Sequence, residues 1–326
     1  MARYVLNDAE KYELTRIADE FLAAHPVWAP LEYVDDIRIE AERLPVGIRR
    51  FLAGARAAED AIVVVSNLPV DEELVPTPSS WQVAEKEGAA VREELVLLLV
   101  GSVLGDAFGW TNQQNGRLVH DVCPSKGQEN SLTSASSQQQ LTLHTEDVFH
   151  SCRGDYVALM CLRNPDAVGT TVALVESVEF EEPLREVLHQ DRFRFFPDDS
   201  HQVVPLHTAE NPSALEERPH EVASVLFGPE DAPYLRIDAD FTSPVPDDRE
   251  AEQVMEQATE LLADAAERVV LGPGEAVFVD NYRAIHGRDT FTPRYDGTDR
   301  WLKRTSLVRD IRRTYVRSKS RSRLLG

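Results

Sequence analysis

Over the N-terminal third, apolar side chains recur every three to four positions; beyond Arg117 they alternate in short runs, so the pattern predicts helices followed by strands. Leu14, Ile17, Ala18, Phe21 and Leu22 share one helical face, and Asn7 with Glu10 can open that helix as a capping box. A second amphipathic helix is expected within residues 36–57. The run AIVVVSNLPV, residues 61–70, predicts a buried strand ending at Pro69, and residues 89–108 predict a buried helix.

From Arg117 onward the β-type runs fall at residues 117–122, 140–149, 155–164, 170–177, 222–228, 234–241, 276–286 and 301–311. Strands this short and this frequent predict a sandwich or barrel, interrupted by helical stretches near residues 176–190 and 248–268. The Ser/Gln-rich segment 125–140 lacks apolar periodicity and ends just before His144, which makes it a loop and a candidate lid. The expectation is one domain: a mostly helical part over 1–110, a β core over 111–313 with an insert at 248–268, and a basic tail over 314–326.

Charge narrows the classes of partner. Asp and Glu outnumber Lys and Arg by 56 to 34, and a net charge of −22 repels nucleic-acid backbones and anionic lipid surfaces. The basic cluster from Arg309 to Arg323 reads as a solvated, fraying end. Cys123, Cys152 and Cys161 form neither a CxxC pair nor an even-numbered framework, which fits a reducing cytoplasm. The N-terminus lacks a signal-peptide core, and no apolar run approaches the roughly 20 residues of a membrane span.

The chemistry starts with histidine. Strand residues two apart share a face, so His-x-Asp/Glu can offer two ligands to one metal. Two sites fit, His144-Thr-Glu146 and His189-Gln-Asp191. His189 follows a helical pattern and reads as an exposed helix end. His144 and Glu146 stand between Leu141, Leu143, Val148 and Phe149, where polar groups need hydrogen bonds or a metal. His286, at the end of the strand-like AVFVDNYRAIH, is the third candidate ligand. Two His and one carboxylate on one side of a metal leave positions open, as in non-haem Fe(II) oxygenases. Zinc competes for such a set, although the HExxH helix is absent. Arg300 and Arg304 share a strand face after His286, and Arg suits the binding of a dicarboxylate keto-acid.

The stretches LTLHTEDVFH and RGDYVALMCLRN, with the later NYRAIHGRDTFTPRYDGTDRWLKR, resemble the clavaminate-synthase-like branch of the Fe(II)/2-oxoglutarate oxygenases. That branch includes β-hydroxylases of free arginine and asparagine, and the resemblance runs from about Trp110 to Arg313. It implies a mainly β fold, a double-stranded β-helix (jelly-roll) core with helical additions. It also implies iron on His144, Glu146 and His286, with 2-oxoglutarate and O₂ as co-substrates. Arg300 is the implied anchor of 2-oxoglutarate and Thr171 its hydroxyl partner, although Thr170 can equally fill that position. Arg304 matches an arginine near the substrate carboxylate.

For the substrate, Gln113 resembles a family glutamine that contacts the amino-acid head group, and the lid offers Leu132 and Ser134 beside Glu146. In LRIDADF, Asp238 and Asp240 are expected on one strand face, where two carboxylates repel unless a cation intervenes. A substrate guanidinium meets that need, so a free amino acid is expected, arginine first and lysine second, in secondary-metabolite (antibiotic) biosynthesis. Should one Asp merely bond the loop backbone, asparagine, citrulline or glutamate stay open. A zinc hydrolase and a metal-free jelly-roll binding protein are the competing readings.

Overall fold

The computed structural model describes residues 1–131, 133, 136–201, 215 and 217–326. Its N-terminal part comprises β1 (Ala2–Val5), α1 (Asp8–Ala24), α2 (Pro30–Glu40), α3 (Val46–Ala58), β2 (Ile62–Ser66), α4 (Trp81–Glu87) and α5 (Val91–Gly101). α1 opens with the capping box: Asn7 accepts from the Glu10 N–H, and the Glu10 carboxylate accepts from the Asn7 N–H. The one helix expected within 36–57 is two, because Pro45 stands between them and forces Leu44 into an extended conformation. The helix expected over 89–108 stops at Gly101, and residues 106–110 become a strand. Gly105 permits this by lying against Val308, whose carbonyl oxygen would sit 2.8 Å from an added Cβ.

There follow β3 (Asp106–Trp110), β4 (His120–Val122), β5 (Leu141–His144), β6 (Tyr156–Arg163), β7 (Thr170–Leu174), α6 (Glu182–Leu188), β8 (Phe193–Phe195) and β9 (Glu221–Ala223). The chain continues through β10 (Leu226–Phe227), β11 (Tyr234–Leu235), β12 (Thr242–Pro244), α7 (Arg249–Asp264) and β13 (Glu267–Val269). It ends with β14 (Ala276–Asp280), β15 (Ala284–Arg288), β16 (Trp301–Val308), α8 (Arg312–Ser318) and β17 (Leu324–Leu325).

The larger sheet runs β1-β2-β14-β6-β16-β3-β17, with β4 also on β16, and the smaller runs β13-β7-β15-β5. Val64, Val157, Leu159, Val277 and Leu302 of the larger sheet pack against Val172, Val269 and Ala284 of the smaller in one buried cluster. Helices α1, α2, α3 and α5 cover the other face of the larger sheet over Val63, Val65, Ala158, Met160 and Phe278. Covered on both faces, β6 is apolar at nearly every position. Two facing sheets with helices outside them form the jelly-roll core with helical additions.

Two departures bear on the site. AVFVDNYRAIH is two strands, not one: β14 belongs to the larger sheet and β15 to the smaller, with a corner at Asn281–Arg283 between them. The corner is tight because Asp280 Oδ1 accepts the N–H groups of Tyr282 and Arg283. The basic end of the chain is folded rather than fraying. Arg313 pairs with Asp155 at 2.5 Å, and Leu324–Leu325 lies parallel to β3.

Candidate active site

β5 and β15 pair antiparallel, and their register sets His286 directly opposite His144, with ring centroids 4.4 Å apart. Glu146 comes from the turn just past β5 rather than from the strand itself. Asn281 holds that turn: the Glu146 N–H donates to Asn281 Oδ1 at 2.7 Å, and Asn281 Nδ2 donates to the carbonyls of Glu146 and Gly154 at 3.1 and 3.0 Å. The corner that delivers His286 therefore also fixes Glu146.

Glu146 Oε1 lies 3.3 Å from His286 Nε2 and 3.8 Å from His144 Nε2, and one ligand atom from each residue falls within 4.8 Å of the others. His144 Nδ1 donates to the Thr142 carbonyl at 2.8 Å, which leaves Nε2 as the lone-pair donor facing Glu146. Burial works against a charge on Glu146, but Arg304 and the two imidazoles outweigh it and hold the carboxyl well below the usual range. Burial likewise opposes protonation of His144, yet Glu146 and Asp238 push it up to about 9, while burial and His144 keep His286 low. A divalent cation meets the same carboxylates as that proton, and two nitrogens with one carboxylate, converging from one side, suit it.

Beside this triad lies a cavity lined by Leu141, Thr170, His286, Arg288, Arg300 and Arg304. Arg300 is buried, its Nε has no hydrogen-bond partner among the described residues, and burial lowers its guanidinium to about 10. A buried cation left this short of partners calls for an anion. Arg304 Nη1 reaches Glu146 Oε1 and Oε2 at 3.3 and 3.4 Å, and Nη2 donates to His120 Nδ1 at 3.1 Å. Burial, with Arg304 and Arg117, keeps His120 well below its ordinary value, so it stays neutral and can accept. On the opposite face of β16, Lys303 is fully buried against Glu94 and Asp121 at 2.8 and 2.6 Å, which pins the strand behind both arginines.

Thr171 is not the threonine at the cavity. Alternation along β7 turns Thr170 inward and aims Thr171 at Asp289, 3.4 Å away. Asp238 and Asp240 do not share a strand face either, because β11 ends at Leu235 and the two residues occupy a turn. Asp238 is buried, bridges in the backbone to His144, and its Oδ1 accepts the N–H groups of Asp240 and Phe241 at 2.8 and 3.0 Å. Asp240 Oδ2 accepts from Thr142 Oγ1 at 2.6 Å. Gln113 is buried and donates to Ser200 Oγ at 2.7 Å, beside His201, which is itself 2.9 Å from Asp147. Leu132 and Ser134 lie outside the described residues. His120, Asn281 and Arg288 are the polar groups at the site that sequence reasoning misses; only Arg288, in the run HGR, carries a local signal.

Residues 88–306 match the family described as taurine catabolism dioxygenase TauD, TfdA family. The chain is 40% identical over 324 residues, 95% of each chain, to enduracididine beta-hydroxylase of Streptomyces hygroscopicus. It is 38% identical over 291 residues, 84% of each chain, to L-ornithine/L-arginine 3-hydroxylase of Catenulispora acidiphila. Among solved structures, the non-heme iron oxygenase OrfP with Fe, succinate and (3S)-hydroxy-L-Arg superposes with a TM-score of 0.89 at 35% identity, covering 100% of both chains. The same protein with Fe and alpha-ketoglutaric acid gives a TM-score of 0.88 at 36% identity, over 99% of this chain and 100% of that one.

Proposed function

The chain belongs to the TauD/TfdA dioxygenase family, and from that premise we propose that it hydroxylates an unactivated carbon of a free basic L-amino acid, L-arginine first. It is an Fe(II)- and 2-oxoglutarate-dependent oxygenase, so a zinc hydrolase and a metal-free binding protein no longer compete. Iron held by His144, Glu146 and His286 supplies, when bound, the oxidising power drawn from O₂ and 2-oxoglutarate.

The protein's share is to bind and orient. Arg300, buried in the cavity lining, takes the far carboxylate of 2-oxoglutarate, with the Thr170 hydroxyl from the same lining. Arg304 touches Glu146, so a substrate α-carboxylate on its guanidinium keeps the α- and β-carbons nearest the triad; C3 is accordingly the carbon we assign. Gln113 spends its Nε2 on Ser200 and keeps its carbonyl oxygen for the substrate ammonium.

One observation carries the choice of a basic substrate. Asp238 is buried beside His144; burial, with Asp240 and Asp198, pushes its carboxyl up to about 7 against the pull of His144, so a cation beside it would stabilise its charged form, and neither Asp238 nor Asp240 has an ion-pair partner among the described residues. The turn hydrogen bonds use one oxygen of Asp238 and leave the other for a guanidinium. The three free, buried cysteines support a cytoplasmic setting, and the charge of −22 supports a protein without nucleic-acid or membrane partners. No helix among the described residues is long and apolar enough to cross a membrane.

The test is incubation with Fe(II), 2-oxoglutarate and O₂ across the free amino acids, following succinate and a product heavier by one oxygen. Stimulation by arginine above all others is the expected result. Stimulation by none of the basic amino acids would sink the proposal.

A further inference from the structure

Arg288 follows His286 by two positions on β15 and lines the same cavity as Arg300 and Thr170. It is buried, yet among the described residues its donors go to no carboxylate. Nε donates to the Asp289 carbonyl at 3.2 Å, Nη2 to Ser136 Oγ at 3.0 Å and to the Gln139 carbonyl at 2.8 Å, and Nη1 to the Ser136 carbonyl. Ser136 and Gln139 belong to the loop that leads into β5. The segment after β15 holds that loop at two more points: the Phe291 N–H donates to the Ser137 carbonyl at 2.9 Å, and Tyr295 Oη donates to the Glu129 carboxylate at 2.6 Å. The Glu129 carbonyl in turn accepts the N–H groups of Ser137, Gln138 and Gln139.

Side-chain ties matter here because the strand ladder is irregular. The β5–β15 register shifts between His286 and Arg288, so backbone pairing alone does not fix how the loop enters β5. Gly287 already packs so tightly that an added Cβ would meet the Leu141 carbonyl oxygen at 2.6 Å. Arg288 therefore holds both a wall of the cavity and the start of the strand that carries His144. Arg288 and Arg300 are also two buried cations on one cavity, and like charges in a poorly solvated space repel until an anion joins them.

We propose that Arg288 is a positioning residue that moors the loop entering β5 to the wall of the 2-oxoglutarate cavity, so that a filled cavity steadies the loop on the amino-acid side. This rests on the reading of Arg300 as the co-substrate anchor. Arg288 acts through the loop and does not touch the reacting atoms.

Hydrogen exchange on the full chain, loaded with Fe(II) without oxygen, separates the two ideas. In the wild type, 2-oxoglutarate slows exchange of the 136–139 amides about tenfold. Arg288→Lys keeps the charge but cannot reach the same acceptors. Its 136–139 amides exchange faster, 2-oxoglutarate no longer slows them, and the β14 amides stay protected as the sign of an intact fold. Its KM for the amino acid rises about tenfold, while its KM for 2-oxoglutarate changes less than about twofold. Ser136→Ala, which removes one acceptor and leaves the cavity side chains in place, gives the same exchange shift at smaller amplitude.

Equal exchange at 136–139 in wild type and both variants overturns the mooring. A rise in KM for 2-oxoglutarate alone also overturns it, because Arg288 would then be a direct co-substrate ligand. Loss of 2-oxoglutarate binding is a separate matter: if the wild type binds none, the reading of Arg300 fails, and the exchange difference without 2-oxoglutarate still decides the role of Arg288.

Discussion

Asn281 and Glu146 are joined by a reciprocal pair of hydrogen bonds, Glu146 N–H to Asn281 Oδ1 at 2.7 Å and Asn281 Nδ2 to the Glu146 carbonyl at 3.1 Å. Asn281 is fully buried at the corner between β14 and β15, so the proposed carboxylate ligand is held by the element that places His286. Asn281→Ala removes the partner of three buried backbone groups, the N–H and carbonyl of Glu146 and the carbonyl of Gly154, at a cost of about 1–3 kcal/mol. We expect a lower Tm and roughly tenfold weaker Fe(II) binding. Titration of the apo-protein with Fe(II) checks this, and unchanged affinity would separate Asn281 from the metal site.

The two neighbouring threonines give a sharp contrast. Thr170→Val removes a hydroxyl from the cavity beside Arg300 and should raise the KM for 2-oxoglutarate about tenfold. Thr171→Val loses only the 3.4 Å contact with Asp289 and should leave that KM within about twofold. The reverse order would restore Thr171 as the co-substrate residue.

Asp238→Asn keeps an acceptor for the turn N–H groups and removes the charge offered to a basic substrate. Its KM for L-arginine should rise about tenfold or more, with the KM for 2-oxoglutarate unaltered. Steady-state kinetics in each substrate reads the split. An unchanged arginine KM would leave Asp238 with the turn alone.

Asp280 gives a pH signature. Burial, helped by Asp155 and Glu59, pushes its carboxyl up to about 6 despite the N–H of Tyr282 and the charge of Arg309. The folded state therefore holds this proton more tightly than the unfolded chain, whose aspartates titrate near about 4. The contribution to stability is complete below about pH 4 and is lost as pH rises through about 6, by up to about 3 kcal/mol. Asp280→Asn keeps the turn acceptor and should be more stable than wild type at pH 8, with the gap about halved at pH 5. Thermal unfolding at the two pH values measures it, and a gap that widens on acidification would contradict the assignment.

The legible part of the site is what strand context carries. His144 and His286 stand in apolar runs that the fold places in one sheet, and Arg300 just before β16 and Arg304 on it line the cavity beside them. Two features were hidden because they depend on where a strand stops. AVFVDNYRAIH has the periodicity of one strand, and only the packing of two sheets breaks it at Asn281, which gives that residue its hold on Glu146. Asp238 and Asp240 alternate as strand residues do, yet β11 ends before them and the carboxylate of Asp238 caps a turn. The choice between Thr170 and Thr171 depends on which way β7 presents its faces, which spacing alone leaves open. His120 looks like any core histidine until β4 pairs with β16 and meets Arg304. The basic end of the chain finds its acidic partners, Asp155 and Asp35, only in the folded protein.

The most direct test of the substrate assignment is kcat/KM for L-arginine against L-asparagine, measured on the wild type by product formed per unit time at limiting substrate. A site built around the Asp238 and Asp240 carboxylates should favour arginine by about a hundredfold or more. A ratio near one, or in favour of asparagine, would contradict the role given to Asp238 and Asp240 while leaving the oxygenase itself in place.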